Sequence, residues 1–232
     1  MLLPQLALAA ALLGAGRSAG NPPFRVIWNS PWPSGCPNTT WSGSATRRPR
    51  LDAFGIEANE GDDFNGETIF TFYTSFNKHG IFSAIPRYVA PDASCKGCPN
   101  AGCCVAVNGG IPQRGNLSLH LSAVAAAVRT ALPPSFAGVS VLDWEEWYPW
   151  YSTAGHADDP GHADGRGIPP ALSPRYIVES RDAARQAGPR ATRSVVEAEA
   201  QRAWNASSLV FLVETLKLCR QLRPHARWGY YN

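Results

Sequence analysis

Two carboxylates lie close together directly after a short apolar run. Asp143 and Glu145 follow Val139 to Leu142, a run that is typical of a buried strand. Alternate residues of a strand point to the same face, about 6.6 Å apart. Neighbouring carboxylates in a partly dry site raise the pKa of one of them, which can then hold a proton near neutral pH. The pair therefore indicates a general acid and a neighbour that modulates it.

Aromatic side chains crowd the segment that carries these acids; they are Trp144, Trp147, Tyr148, Trp150 and Tyr151. Aromatic faces commonly line carbohydrate clefts, so the segment favours a sugar-binding site. Two acids on one strand face do not match the opposed carboxylates with which most glycosidases flank a sugar. If the chain is a glycosidase, the nucleophile is then expected from elsewhere, and an acetamide group on the sugar itself is the obvious candidate. The alternative interpretation is that Asp143, Glu145 and Glu146 are loop-edge charges and that the aromatic residues are core.

Four short apolar runs predict the strands that would position these residues. They span Phe24 to Trp28, Thr68 to Tyr73, Val139 to Leu142 and Trp228 to Tyr231. Apolar residues at helical spacing predict three helices, over Leu117 to Leu132, Ser173 to about Gln186, and about Ser194 to Leu222. The order of these elements indicates an α/β protein with a parallel sheet, in which active sites lie at the carboxyl ends of strands.

The end of the chain bears on the size of the fold. Asn232 comes directly after the last predicted strand, which leaves that strand without a covering helix. A parallel sheet needs both faces buried. The apolar share of 44% is enough to bury a core. We therefore expect a folded chain that forms the first part of a larger fold.

Charge and targeting signals argue for export and against nucleic-acid binding. The 21 basic and 18 acidic residues are scattered along the chain and leave a net charge of +3. Residues 1–20 combine an apolar run with small residues near a cleavage point at Ala19 or Gly20, and they predict a signal peptide. No later segment is long and apolar enough to cross a bilayer. We expect a secreted or lysosomal glycoprotein, with glycosylation predicted at the sequons of Asn38, Asn116 and Asn205.

Two loops contain residue types that can bind metals. Cys95, Cys98, Cys103 and Cys104 lie in a Pro/Gly/Asn-rich stretch over residues 91–104 and could close a tetrahedral zinc site. The adjacent Cys103 and Cys104 and the secretory context favour two local disulfides instead. Residues 155–158 and 161–164 repeat the motif Gly-His-Ala-Asp, for which a solvated loop is favoured over a metal site. We therefore predict no metal and no cofactor.

Four stretches of the chain, in order, resemble the hyaluronidase family of glycoside hydrolases. The segment Val139 to Trp147 with Pro149 is similar to the family signature, in which a strand ends in Asp-aromatic-Glu-x-Trp-x-Pro. Phe24 to Asn29 looks like the first strand of the family barrel, and Asn108 to Leu121 looks like its Gly-Gly-x-Pro-Gln turn with the helix that follows. Arg223-Pro224 with Trp228 to Tyr231 looks like the strand that carries a site tyrosine.

The resemblance implies a distorted TIM-like (β/α) barrel, of which residues 21–232 form only the first half, with residues 91–104 as a Cys-rich insertion. It also implies endo-acting hydrolysis of the β-1,4 N-acetylhexosaminidic bonds of hyaluronan, with chondroitin as a second candidate. Cys36 matches a family cysteine whose disulfide partner lies in the half that is missing here. The alternative is a truncated, catalytically inactive form that binds glycosaminoglycan or a partner chain.

Site residues carry over from the family by position. The resemblance implies that Glu145 is the proton donor and later the base, while Asp143 holds and polarises the acetamide nitrogen. Tyr231 would orient the acetamide, whose carbonyl attacks the anomeric carbon in a retaining reaction. Tyr73 matches a tyrosine that lines the substrate groove, and Trp147 of the signature is predicted to bind substrate as well.

Overall fold

A computed structural model describes residues 24–29, 51–59, 65–73, 83–89, 104–152 and 174–231. The strands are β1 (Val26–Trp28), β2 (Ile56–Ala58), β3 (Ile69–Phe72), β4 (Arg87–Val89), β5 (Val105–Val107), β6 (Val139–Leu142) and β7 (Arg227–Tyr230). The helices are α1 (Leu117–Ala131), α2 (Pro174–Ala187) and α3 (Arg193–Leu222). Short 3-10 turns lie at Leu51–Phe54 and Pro112–Arg114. All four predicted strands and all three predicted helices are confirmed, with their ends within two residues of the predicted ones.

Parallel strands organise the part of the fold that positions the acids. β3, β6 and β7 form a three-stranded parallel sheet in the order β3-β6-β7, and β1 pairs with β2 in parallel. The predicted α/β architecture with a parallel sheet is therefore confirmed. Within the described ranges the strands form three separate sheets rather than a closed barrel, so the barrel stays a prediction.

A buried asparagine joins the two parallel sheets. Asn59 is only 1% exposed. Its Oδ1 accepts hydrogen bonds from the backbone N–H groups of Thr68 (3.2 Å) and Ile69 (3.0 Å), at the start of β3. Its Nδ2 donates to Oδ1 of Asn29, directly after β1, at 2.8 Å. These bonds fix the first strand pair against the central sheet while satisfying a buried amide.

The core lies between the three-stranded sheet and the helices. Phe72 of β3 stacks on Trp228 of β7, with ring centroids 6.0 Å apart. α3 packs against both α1 and α2, and its Trp204 is fully buried. Burial raises the pKa of the Cys219 thiol of α3 to about 12, so this free cysteine is a neutral core residue.

A left-handed turn leads into α1. Asn108, Gly109 and Gly110 all have positive φ angles (46°, 81° and 78°). The Asn108 side chain braces the turn, since its Nδ2 donates to the carbonyl of Ala84 and its Oδ1 accepts from the N–H of Asn116. Asn116 then caps α1 by accepting from the N–H of Leu119 at 3.0 Å. The Asn-Gly-Gly turn therefore follows the end of β5, and its Asn108 holds the residue that caps α1.

Gly110→Ala is expected to lower the free energy of unfolding by about 3 kcal/mol, because a Cβ there would lie 2.4 Å from the Tyr88 ring in a backbone conformation that favours glycine. Urea unfolding followed by tryptophan fluorescence measures the loss. Gly188→Ala is the matched control, since its nearest neighbour is the Ala191 Cβ at an ordinary 3.5 Å. Equal effects of the two substitutions would contradict the steric explanation.

The β4–β5 hairpin was not predicted from the sequence. Its two strands are three residues each and pair in antiparallel fashion, with Tyr88 opposite Ala106. Strands this short show too few residues for an alternating pattern, and the Cys-rich stretch between them reads only as a loop. The short strand β2 was missed for the same reason.

Candidate active site

The carboxyl ends of three adjacent strands place three of the predicted site residues side by side. The registers pair Phe72 with Leu142, and Leu142 with Tyr230. The ladder continues for one more residue, because the N–H of Asp143 donates to the Phe72 carbonyl at 2.9 Å and the N–H of Tyr231 donates to the Leu142 carbonyl at 3.1 Å. Tyr73, Asp143 and Tyr231 therefore lie in one row at the ends of β3, β6 and β7, and neighbouring strands in this row are about 4.8 Å apart.

Asp143 is the buried acid of the site. The residue is 7% exposed, and its Oδ1 accepts no hydrogen bond from the part of the chain that the structure describes. Burial, and secondarily the charge of Glu145, raise the pKa of Asp143 from its usual 3.8 to about 6. The predicted effect of paired carboxylates is therefore present, and it falls on Asp143. A buried carboxylate oxygen without a donor is suited to receive one from a ligand.

Glu145 lies two residues beyond Asp143 and is exposed to solvent. The segment between β6 and Trp147 contains no helix, so the alternation of the strand brings the side chain to the open end of the sheet. Of the two acids, Glu145 is accessible to solvent and Asp143 is desolvated. Glu145 is therefore the one that can exchange a proton with a large molecule bound from outside.

A small aromatic cavity adjoins the row of site residues. Its volume is about 200 Å³, and it is lined by Trp144, Trp147, Tyr148, Pro149, Leu212, Tyr230 and Tyr231. Tyr231 lies at the rim and is 63% exposed, so its phenol is accessible. Tyr73 is half-buried at the other end of the row. Tyr231 and Tyr73, on either side of Asp143 in the row, are therefore placed to contact a molecule that reaches Asp143.

Trp147 lies in the core rather than on an open groove. It is 4% exposed, and its indole Nε1 donates to the carbonyl of Pro86 at 2.7 Å. Its ring makes edge contacts with Trp144 and Trp204, at centroid distances of 4.8 Å and 5.7 Å. The indole N–H is thus already bonded, and the placement favours a supporting role over the predicted contact with substrate.

His120 is a residue for which the sequence offered no recognisable constellation. It is fully buried in α1, and its Nε2 lies 2.8 Å from Oγ1 of Thr215 in α3. Its ring makes an edge contact with Trp144, between the two acids, at 5.5 Å. His120 therefore supports the aromatic residue that separates Asp143 from Glu145.

Comparison with known proteins identifies the family to which this arrangement belongs. The family model described as Hyaluronidase matches residues 15–232. The chain belongs to the hyaluronidase family. It is 33% identical over 217 residues to Hyaluronidase-3 of Rattus norvegicus, covering 90% of this chain and 42% of the relative. It is 29% identical over 241 residues to Hyaluronidase-1 of Sus scrofa, covering 100% of this chain and 46% of the relative.

A solved hyaluronidase shares the fold. The crystal structure of bee venom hyaluronidase in complex with a hyaluronic acid tetramer is similar with a TM-score of 0.61 and 28% identity, covering 90% of this chain and 54% of that one. The predicted resemblance to the hyaluronidases is thus confirmed. The chain spans about half the length of the relatives that it matches.

In this hyaluronidase-family chain, α3 holds the segment that follows the acids. The indole Nε1 of Trp204 donates to the carbonyl of Tyr148 at 3.0 Å, and Oγ of Ser208 donates to the carbonyl of Pro149 at 2.6 Å. Oδ1 of Asn205 accepts from the N–H of Tyr151 at 2.6 Å. These contacts were not predicted from the sequence, although Ser208 on the buried stripe of α3 was a signal for them.

The sequons that lie in the described ranges have different surroundings. Asn116 is exposed at the start of α1, and its Oδ1 accepts a hydrogen bond from the N–H of Leu119. Asn205 lies within α3, is half-buried and holds the Tyr151 N–H. Glycosylation at either residue stays a prediction. At Asn205 the placement also supports a purely structural role.

Two substitutions separate the sequon at Asn205 from its hydrogen bond. Ser207→Ala removes the sequon and leaves the bond to Tyr151 in place, so we expect the free energy of unfolding to change by less than about 0.5 kcal/mol. Asn205→Ala removes both and is expected to cost about 1–3 kcal/mol, because the Tyr151 N–H is left without its acceptor. Urea unfolding measures both, and the intact mass of each secreted variant reports any glycan. Equal losses of stability would show that the bond contributes nothing.

Other predictions from the sequence meet the structure only in part. Cys104 is disulfide-bonded. The predicted signal peptide (residues 1–20), the predicted glycosylation site at Asn38 and the other four disulfide candidates (Cys36, Cys95, Cys98 and Cys103) lie outside the described residues. In the ranges that are described, no three His, Cys, Asp or Glu side chains converge as metal ligands, and no helix has the length and apolarity needed to cross a membrane.

Proposed function

We propose that this chain carries the acid-bearing half of an endo-acting glycoside hydrolase that cleaves the β-1,4 N-acetylhexosaminidic bonds of hyaluronan. The observation that carries the proposal is the row of Tyr73, Asp143 and Tyr231 with the exposed Glu145 beside it. Family membership supports the substrate class, and a related structure binds a hyaluronic acid tetramer. Chondroitin is the second polymer of the same bond type.

In the proposed reaction the nucleophile belongs to the substrate. The acetamide carbonyl oxygen attacks the anomeric carbon while the glycosidic C–O bond breaks, and Glu145 gives its proton to the departing oxygen. Water then attacks the same carbon, the bond to the acetamide oxygen breaks, and Glu145 takes the proton back. Two displacements at one carbon retain its configuration. Such a reaction does not need carboxylates on opposite faces of the sugar, which is consistent with two acids that follow the same strand.

Asp143 suits the proposed role of holding the acetamide. Its Oδ1 accepts no bond from the described residues, and an acetamide N–H would supply the missing donor. Burial strengthens such a bond because few solvent dipoles compete with it. The exposed phenol of Tyr231, next to Asp143 in the row, is placed to orient the acetamide carbonyl.

The proposed location is the secretory pathway, either outside the cell or in the lysosome. It is supported by the apolar residues before Ala19 and Gly20, the three sequons and the disulfide at Cys104.

The deciding experiment is a depolymerisation assay on the secreted 232-residue chain with three polymers. Hyaluronan is expected to yield shorter chains with N-acetylhexosamine at the new reducing ends. Hyaluronan from which the acetyl groups have been removed is the matched control, and it should resist because the nucleophile is absent. Incubation with chondroitin tests whether the chain also cleaves this second candidate substrate. Cleavage of both forms of hyaluronan would exclude acetamide participation, and binding without cleavage would favour an inactive, glycosaminoglycan-binding chain.

A further inference from the structure

The two residues after Glu145 are held from the side of the β4 strand. Glu146 forms an ion pair with Arg87, with Oε1 and Nε 3.6 Å apart and side chains only 21% and 12% exposed. Trp147, the next residue, donates its indole N–H to the carbonyl of Pro86 at 2.7 Å. Glu146 is therefore bound to Arg87, the first residue of β4, and Trp147 to Pro86, the residue directly before that strand.

The β4 strand is itself anchored on two sides. It pairs with β5, and the cysteine directly before β5, Cys104, is disulfide-bonded. The Tyr88 ring packs against the Tyr176 ring of α2 at 5.8 Å, and the Arg175 guanidinium lies 4.7 Å above the Tyr88 ring. A strand fixed in this way can hold the acid-bearing segment in one position.

The ion pair also has an electrostatic consequence. Asp143, Glu145 and Glu146 are three acidic residues within four positions. A largely buried Glu146 without a cation would face a high desolvation cost, which turning toward the solvent and the other two acids would relieve. Arg87 instead holds Glu146 at the start of β4 with both side chains largely buried. The pair thus keeps the third carboxylate out of the site.

We propose that Arg87 is a positioning residue for the hydrolysis: together with the Pro86 carbonyl, it fixes Glu146 and Trp147 and thereby aims Glu145. The inference rests on the proposed function for its effect on cleavage. Its structural part, the restraint of residues 146 and 147, stands independently of any activity.

The experiment compares Arg87→Ala, Arg87→Lys and the exchanged pair Arg87→Glu with Glu146→Arg in the full chain. Arg87→Ala is expected to raise the hydrogen-exchange rate of the Trp147 indole proton at least about tenfold while the amides of α1 and α3 stay protected. Arg87→Lys should be intermediate because it keeps the charge without the planar geometry. The exchanged pair should recover most of the protection.

Kinetics on hyaluronan supply the second readout. Arg87→Ala is expected to lower kcat at least about tenfold with KM within about twofold, because a misaimed acid affects the reaction more than binding. Added guanidinium should restore part of kcat. Unchanged exchange at Trp147, an equal rise throughout α1 and α3, or an unchanged kcat despite faster exchange would each overturn the proposal. If the parent chain cleaves nothing, the proposed function fails, and the exchange measurements still decide whether Arg87 restrains the segment.

Discussion

Glu145→Gln is expected to reduce cleavage of hyaluronan about 10²–10⁴-fold, the contribution typical of a general acid that is also the later base. The amide keeps the size and exposure of the side chain but cannot give a proton to the departing oxygen. KM should change little, because the exposed Glu145 side chain is not the main source of binding. Initial rates of reducing-end formation at saturating hyaluronan measure the loss.

The matched control for this substitution is Glu199→Gln. Glu199 lies on α3 and forms an exposed ion pair with Arg202, away from the ends of the strands. The substitution Glu199→Gln should leave the rate of cleavage within about twofold of the parent rate, since an exposed ion pair of this kind contributes little to stability. A Glu145→Gln variant that keeps a tenth or more of the parent activity would remove Glu145 from the role of proton donor.

Acid is expected to destabilise the fold through His120. Burial lowers the pKa of this residue from 6.5 to about 4. Between these two values the unfolded chain binds more protons than the folded one, so the free energy of unfolding falls as the pH falls. Above pH 6.5 His120 costs the fold no stability, and near pH 4 its protonation lowers the free energy of unfolding by about 3 kcal/mol. Urea unfolding at a series of pH values measures it.

Substitutions isolate this contribution from those of other groups. His120→Gln keeps a polar group beside Thr215 and should flatten the pH dependence between pH 4 and 6.5. His225→Gln, at an exposed position after α3, is the matched control and should leave it unchanged. Asp143 acts in the opposite direction, because its raised pKa favours the folded state below pH 6 and this contribution is lost as the pH rises through 6. Asp143→Asn should therefore steepen the acid loss, and a flatter curve would refute the assignment.

Local patterns were enough to predict the main elements and the acids. The apolar run at Val139 to Leu142 predicts β6, and the twofold alternation of a strand places Asp143 and Glu145 on one face beyond it. Apolar residues at helical spacing from Leu117 to Leu132, followed by Pro133, predict α1 in the same way. Tyr73 and Tyr231 were predicted from the family resemblance, and the strand register places them in one row with Asp143.

Contacts between distant segments decided the rest, since no local pattern encodes them. Trp147 is bound to a carbonyl 61 residues earlier and Tyr148 to an indole 56 residues later, so the aromatic cluster that suggested a sugar cleft is largely core. The neighbours of Glu146 are likewise set by β4, a strand too short to be predicted.

The sequence by itself was enough to predict the strands and the acid pair, because strand alternation depends on neighbouring residues only, while the site tyrosines were predicted from the family resemblance. Tertiary structure decided how the two acids differ. Both carboxylates follow the same strand, yet Asp143 is buried with a raised pKa while Glu145 is exposed. Desolvation depends on which side chains from other elements pack around each group, and that packing exists only in the folded chain.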